Sequence, residues 1–271
     1  MIDTKTWQVP RHQTIELAPK QSRYCICIPI INEGLKIQKQ LDRMRQISDR
    51  FDVIIADGGS RDGSTEPEKL SQLGVRTLLV KQDTGKLSAQ LRMGFAYAME
   101  QGYDGIITID GNNKDDPSAI PSFAEALDGG CDHVQGSRFV PGGEAINTPP
   151  ERFWAIKLIH APLIRLAAGW PYTDTTNGFR AYSRRLLLDE RVAPFREVFS
   201  GYELHYYLAI RAARLGYDVC ELPVTRIYPQ TGPTPTKISP IRGNVLVMQT
   251  LIQACLGSYN PKSNPIAEVR S

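Results

Sequence analysis

The 271-residue chain has few cysteines, little net charge and no long apolar run, and each shortage removes a class of protein. Its five cysteines, at positions 25, 27, 131, 220 and 255, form no C-x-x-C and no spacing with histidine that would suit zinc. Their odd number argues against a disulfide framework, so reduced, mostly buried thiols and a cytoplasmic location are expected. A formal charge of +3 implies neither a nucleic-acid coat nor an acidic tail, and no nucleic-acid partner is expected. No uninterrupted stretch approaches the roughly 18 apolar residues of a membrane span. The opening MIDTKTWQVPRHQ is too polar for a signal peptide, so a soluble protein, or one touching a membrane from outside, is expected. No G-x-G-x-x-G follows the first apolar run and no G-x-x-x-x-G-K-[ST] occurs, which removes the main support for a dinucleotide oxidoreductase or a P-loop NTPase. Repeats and low-complexity linkers are missing as well.

Against these absences stands a regular alternation. Four short β-branched runs, YCICIPI (24–30), FDVIIAD (51–57), VRTLLV (75–80) and GIITID (105–110), each close in a polar or glycine-rich turn. Segments of helical spacing separate them at 34–48, 66–73 and 86–101. The pattern predicts an α/β fold, with βαβα units around a mainly parallel, Rossmann-like sheet whose strands are apolar because both faces are buried. Further strands are predicted within 132–139, 175–183 and 217–228, and helices over 151–169 and 201–216. PQTGPTPTKISP (229–240) reads as a loop, and 244–257 as a last apolar helix, suited to core or dimer packing or to a lipid interface flanked by Arg242 and Lys262. One domain over 22–228 with a C-terminal loop-and-helix appendage over 229–271 is expected.

Ligands of open parallel sheets bind beyond the carboxyl ends of the strands. That rule singles out Asn32 and Glu33 after the first run, Asp57 with GGSRDGS after the second, and Asp110 after the fourth. Asp110 ends a strand as a metal ligand would, yet the residue two places on is the neutral Asn112. Asp57 has an ordinary alternative, because DGGS is good turn chemistry. So has Asp116, since DDP before SAIPSFAEAL suits a helix N-terminus.

PIINEG, IIADGGSRDGS, IDGNNKDDP, GSRFVPGG, DTTNGFRAY and GYELHYYLAIRAARLGYDVCELPV, taken in order over residues 22–228, resemble the family 2 glycosyltransferases of GT-A fold. The likeness is greatest to the branch of dolichyl-phosphate mannose synthase and bacterial polyprenyl-phosphate sugar transferases. The resemblance implies inverting transfer from a UDP- or GDP-linked sugar with Mg²⁺ or Mn²⁺ at the motif containing Asp110 and Asn112. It places Pro29, Asn32, Glu33, Asp57, Gly59 and Ser60 about the nucleoside, and Lys86 and Arg92 on a helix beside it. Relatives often read D-G-D-G-Q-N-D-P where this chain has DGNNKDDP. One carboxylate can hold Mg²⁺ with phosphates and water, and Lys114 is expected to face the diphosphate and share the ion's work.

On the acceptor side two readings stay open. A polyprenyl phosphate is already anionic and needs only cations, for which the resemblance offers Arg138, then Arg152 with Lys157, Arg180 and the loop residue Lys237. A hydroxyl on a glycan or small molecule needs a base, for which Glu203 at the start of the late helix is the candidate. A nucleotide-sugar-binding protein without catalysis is the third reading. Many members of the branch carry a C-terminal membrane pair that has no counterpart here. Peripheral contact with the cytosolic face of a membrane, and a homodimer, are left open.

Overall fold

In a computed structural model of the chain, residues 4–230 and 242–262 are described. The elements run β1 (His12–Glu16), β2 (Tyr24–Ile30), α1 (Leu35–Arg43), α2 (Arg45–Ser48), β3 (Asp52–Asp57), α3 (Pro67–Gln72), β4 (Val75–Lys81), α4 (Leu87–Glu100), β5 (Gly105–Thr108) and α5 (Ile120–Asp128). They continue with β6 (His133–Ser137), β7 (Glu144–Ile146), α6 (Pro150–Ala155), α7 (Ala161–Ala168), β8 (Arg180–Ser183), α8 (Arg184–Leu188), α9 (Glu203–Arg214), β9 (Val219–Pro223), β10 (Thr225–Ile227) and α10 (Arg242–Cys255). A π-helical turn, Ile156–His160, joins α6 to α7 in one rod. Pro162 just beyond it cannot donate to the Leu158 carbonyl, a reason for the local widening.

Eight strands form one sheet in the order β1-β4-β3-β2-β5-β8-β6-β9, in which β2 to β5 are mutually parallel, β8 runs antiparallel to both neighbours, and β9 is parallel to β6. Alternation along each strand sorts the side chains between two cores. Cys25, Cys27, Ile54 and Ala56 face α4, α7, α9 and α10, whereas Ile26, Ile28, Val53 and Ile55 face α1, α3 and α5. Helix α4 is buried almost all round, and Gly94 lets it approach β2, since a Cβ there would strike the Cys27 sulfur.

The expected strands and helices are all present where the structure describes them. Strand β1, which extends the sheet antiparallel to β4, and the short β7 and α8 were not expected. The residues before β1 lie along the helical face, where Trp7 stacks on Phe195 at 3.9 Å. The segment read as one strand after α9 is two, because the chain leaves the main sheet at Pro223 and β10 pairs with β7 in a separate ribbon.

The topology has one consequence for function. The carboxyl ends of β2, β3, β5, β6 and β9 and the start of antiparallel β8 open on one edge. Asn32, Asp57, Asp110, Arg138, Arg226 and the 174–180 loop therefore come from distant parts of the sequence to the same side of the sheet.

Candidate active site

Asp110 follows β5 with its side chain 26% exposed. Its Oδ2 accepts from Arg226 Nη2 at 3.0 Å and faces the Asn112 amide nitrogen at 3.4 Å. Arg226 also pairs with Asp115, whose side chain is completely buried. Burial opposes the charge of Arg226, but the two carboxylates outweigh it and raise its pKa. Backbone bonds weld this loop to β10: Asp116 donates to the Thr225 carbonyl (3.0 Å) and Ile227 to that of Lys114 (2.8 Å). On the other side Gln40 accepts the Asn113 amide at 2.8 Å, and Arg43 donates to Asn113 and Asp116 at 3.0 and 3.3 Å. Asn113 has φ +58°, a conformation Asn tolerates better than most residues. The loop bearing Asp110 is thus clamped between α1 and β10.

Tyr228, two residues beyond Arg226 and on the same side of the extended chain, is the hub of a cationic nest. Lys114 lies 4.8 Å from its ring centroid, Arg152 and Arg226 each 5.8 Å. Burial pushes the phenol pKa up, but Arg226, Arg138 and Arg152 together bring it below its usual value. Burial, then the charge of Arg226, depresses the pKa of Lys114. Arg138 is buried and forks onto Asp174 at 2.6 and 3.0 Å, with Thr176 Oγ1 at 2.8 Å. Burial alone would raise the Asp174 carboxyl; Arg138's charge and hydrogen bonds hold it below the carboxylate range.

Gly178 touches this arrangement from β8's approach. A Cβ there would overlap the Asp110 carboxylate at Oδ1, so the missing side chain keeps one carboxylate oxygen clear while Arg226 takes the other. Among the described residues no three His, Cys, Asp or Glu side chains converge as a metal cage. One carboxylate completed by phosphate oxygens and water still suits Mg²⁺ or Mn²⁺. Asn112 would contribute through its carbonyl oxygen, which here accepts the Lys114 amide at 3.3 Å.

The predicted nucleoside residues form a rigid rim. Asn32 (φ +49°) receives the Arg61 amide at 2.8 Å and donates its own to Ser60 Oγ at 2.8 Å. Gln90, from buried α4, ties the Ile30 and Ala56 carbonyls together at 2.6 and 2.7 Å. Pro29 stands where the β2–β5 ladder has ended, at a position that needs no N–H on that side. Glu33 pairs with Lys36 at 3.5 Å. Asp57 accepts from the amides of Gly59 (3.0 Å) and Ser60 (2.9 Å) and from Ser60 Oγ (2.6 Å). Its carboxylate thus holds its own turn, the ordinary alternative that DGGS allowed.

Several expected contacts are directed elsewhere. Arg180 is fully buried and donates to the carbonyls of Asn177 (2.9 Å), His205 (2.6 Å) and Thr175 (2.8 Å), so it braces the 174–179 loop from within and its donors are not turned to an acceptor. Arg92, buried on α4, donates to the Gln8 carbonyl of the N-terminal arm, away from the nucleoside rim. Lys86, at the mouth of α4, lies 5.5 Å from the Tyr202 ring. Glu203 accepts the Gly201 amide at 2.7 Å, the local use a Glu finds at a helix start. Asp116 caps Ser118 through its amide (3.2 Å) and hydroxyl (2.8 Å), as DDP suggested. Lys237 lies outside the described residues. Arg226, Tyr228, Asp174 and Gly178 were not picked out from the sequence. The signal for the first two was the alternation in TRIY just past a strand end.

A mainly parallel sheet whose strand ends bring a carboxylate and a cluster of cations to one edge is the arrangement of a GT-A fold. The profile of glycosyl transferase family 2 matches residues 25–189, and the chain belongs to that family. It is 31% identical over 216 residues to the undecaprenyl-phosphate mannosyltransferase of Micrococcus luteus, covering 78% of this chain and 86% of that one. To the polyprenol monophosphomannose synthase of Mycolicibacterium smegmatis it is 29% identical over 206 residues, with 75% and 77% covered. Among solved structures, glucosyl-3-phosphoglycerate synthase from Mycobacterium tuberculosis, crystallised with Mn²⁺, UDP and glucosyl-3-phosphoglycerate, superposes with a TM-score of 0.63 over 89% of this chain and 81% of its own. At 19% identity that likeness is one of fold.

Proposed function

We propose that the protein transfers a hexose, with inversion, from a nucleoside-diphosphate sugar to a polyprenyl phosphate at the cytosolic face of a membrane. Mannose is the first sugar to try, since the relatives from M. luteus and M. smegmatis are named for it. The observation that carries the reading is the cation cluster around Tyr228, where Lys114, Arg138, Arg152 and Arg226 answer Asp110, Asp115 and Asp174. Such an excess of cations suits two phosphate-bearing ligands meeting in one cleft. Asn32 and Ser60, with Pro29, Glu33, Asp57 and Gly59, shape the nucleoside side. Asp110 and Asn112 would hold Mg²⁺ or Mn²⁺, which when bound neutralises the leaving diphosphate.

Lys114 supplies positive charge from the same loop. Arg152 faces the acceptor phosphate, and Arg138, locked to Asp174, sets the field behind it. An acceptor phosphate oxygen attacks the anomeric carbon from the face opposite the diphosphate. The carbon–oxygen bond to the diphosphate breaks with its electron pair on the leaving group, and the nucleoside diphosphate departs. No proton has to be taken from a phosphate that is already anionic. That fits a Glu203 carboxylate occupied with its own helix, which is why the phosphate reading is preferred to the hydroxyl one.

The test is incubation with GDP- and UDP-hexoses, undecaprenyl or dolichyl phosphate and Mn²⁺, with the lipid product read by mass spectrometry. Formation of lipid-phosphate hexose is expected. Transfer to soluble glycans with no lipid product would overturn the acceptor assignment.

A further inference from the structure

Two neighbouring helices carry apolar side chains outward where a soluble helix normally carries charge. On the α6–α7 rod, Trp154 (56% exposed), Leu158 (67%), Pro162 and Leu166 (80%) recur every fourth residue. On α10, Val245, Ile252 and the following Leu256 (77%) are exposed at spacings of seven and four residues, which keep them on one side of the helix. Helix α10 packs against α7 and α9 through Leu251 and Ala254, so its inner face is already buried and the outward stripe is additional.

The charges along these helices are mostly positive, Glu151 in the first turn of α6 being the exception. From Arg152 to Thr173 and from Arg242 to Lys262 the sequence contains no Asp or Glu. Arg165 and Arg214 stand exposed beside the end of α7, the latter donating to the carbonyls of Leu166 and Ala167. Lys157 lies 3.9 Å from the Phe139 ring centroid. Self-pairing of this face would set most of its arginines and lysines against their own copies, with Glu151 at one end of the rod as the acid on these helices. An anionic lipid surface supplies both what the stripes need, an apolar phase, and what the cations need, phosphate.

We propose that the outward face of the α6–α7 rod and α10 docks on the anionic surface of a lipid bilayer. The face is continuous with the candidate site: Trp154 meets Phe153 edge-on at 5.3 Å, Phe153 meets Phe139 at 5.6 Å, and Arg152 of the same helix reaches Tyr228 in the cation nest. The proposal deepens the acceptor reading, giving a lipid phosphate a route into the cleft, but its test does not depend on that reading.

The full chain is sedimented with phosphatidylcholine vesicles with and without phosphatidylglycerol, no acceptor or donor being present. Binding to the phosphatidylglycerol vesicles is expected, and brominated lipid is expected to quench the wild type more than Trp154→Phe. Leu158→Glu with Leu166→Glu, and separately Ile252→Glu with Leu256→Glu, are expected to weaken partitioning more than about tenfold. Both pairs should keep the wild-type circular dichroism spectrum and a melting temperature close to wild type. Wild type that stays in the supernatant, Glu variants that bind as wild type does, or a wild-type dimer that the same variants turn into monomer would each overturn the docking surface. Vesicle binding without transfer to any lipid phosphate would overturn the acceptor reading and leave the docking surface standing.

Discussion

Arg226 joins two carboxylates of opposite character: Asp115, wholly buried, and Asp110, which opens towards the cleft. One guanidinium thus serves as counter-ion to a structural acid and as neighbour to the acid that opens on the cleft. Removing it leaves Asp115 charged and alone in the interior, which typically costs about 3–5 kcal/mol. Arg226→Ala is expected to lose that much stability in urea denaturation and to lose activity. Arg226→Lys keeps a charge but not the fork, and should recover stability better than turnover. Equal stability of wild type and Arg226→Ala would contradict the shared counter-ion.

Gly178→Ala tests the geometry of Asp110 without changing any charge. The new Cβ has no room unless the carboxylate moves, and Gly178 is not among the residues with positive φ, so backbone strain is not the issue. A drop in kcat on the order of tenfold to a hundredfold is expected, with a melting temperature close to wild type. Unchanged kinetics would mean that the position of this carboxylate does not matter.

Lys114→Ala is expected to lower kcat on the order of a hundredfold while nucleotide-sugar affinity changes less. Its charge is held at a cost, since burial and Arg226 both depress its pKa, and it stands in the loop of Asp110. If the variant turns over normally while chelation abolishes activity, the lysine has no part in stabilising the leaving group.

Three buried imidazoles make the fold sensitive to acid. Burial, and then the charge of Arg180, drives His133 down to about 3 and lowers His205 well below its ordinary value, and burial lowers His160. The unfolded chain takes up protons at these residues below its own value of about 6.5, whereas the fold refuses them. Stability is therefore complete above about pH 6.5 and falls as the pH drops, by up to about 1.4 kcal/mol per pH unit for each histidine. Urea midpoints between about pH 7 and pH 5 read this slope before most carboxylates titrate. His133→Phe, which keeps a ring against Tyr182 at 5.1 Å in the parent, should flatten it. An equal slope in the variant would mean that His133 titrates normally in the fold.

The alternation of apolar runs with helical segments was enough to find β2 to β5 and their helices, because strands buried on both faces carry an unbroken apolar signal. The edge strand β1 was missed for the converse reason: HQTIE alternates weakly and is largely exposed. Strand-end position and family likeness pointed to Asp110, which lies part-exposed beside Arg226, while family likeness also credited Arg180 and Arg92 with ligand contacts. Arg180 opens β8 and Arg92 lies within α4, and only the fold reveals that their donors turn inward to backbone carbonyls. Arg226 escaped notice because its importance comes from a contact across 116 residues of sequence, to Asp110. The ribbon of β7 and β10 that carries it there has only three residues in each strand.

The measurement that bears most directly on the role of Asp110 is single-turnover transfer from GDP-mannose to undecaprenyl phosphate by wild type and Asp110→Asn, with and without Mn²⁺. Wild type should form the lipid-linked sugar only with the cation, and the variant should be slower by a factor on the order of a hundred or more at matched folding. Wild-type rates from Asp110→Asn would contradict the account.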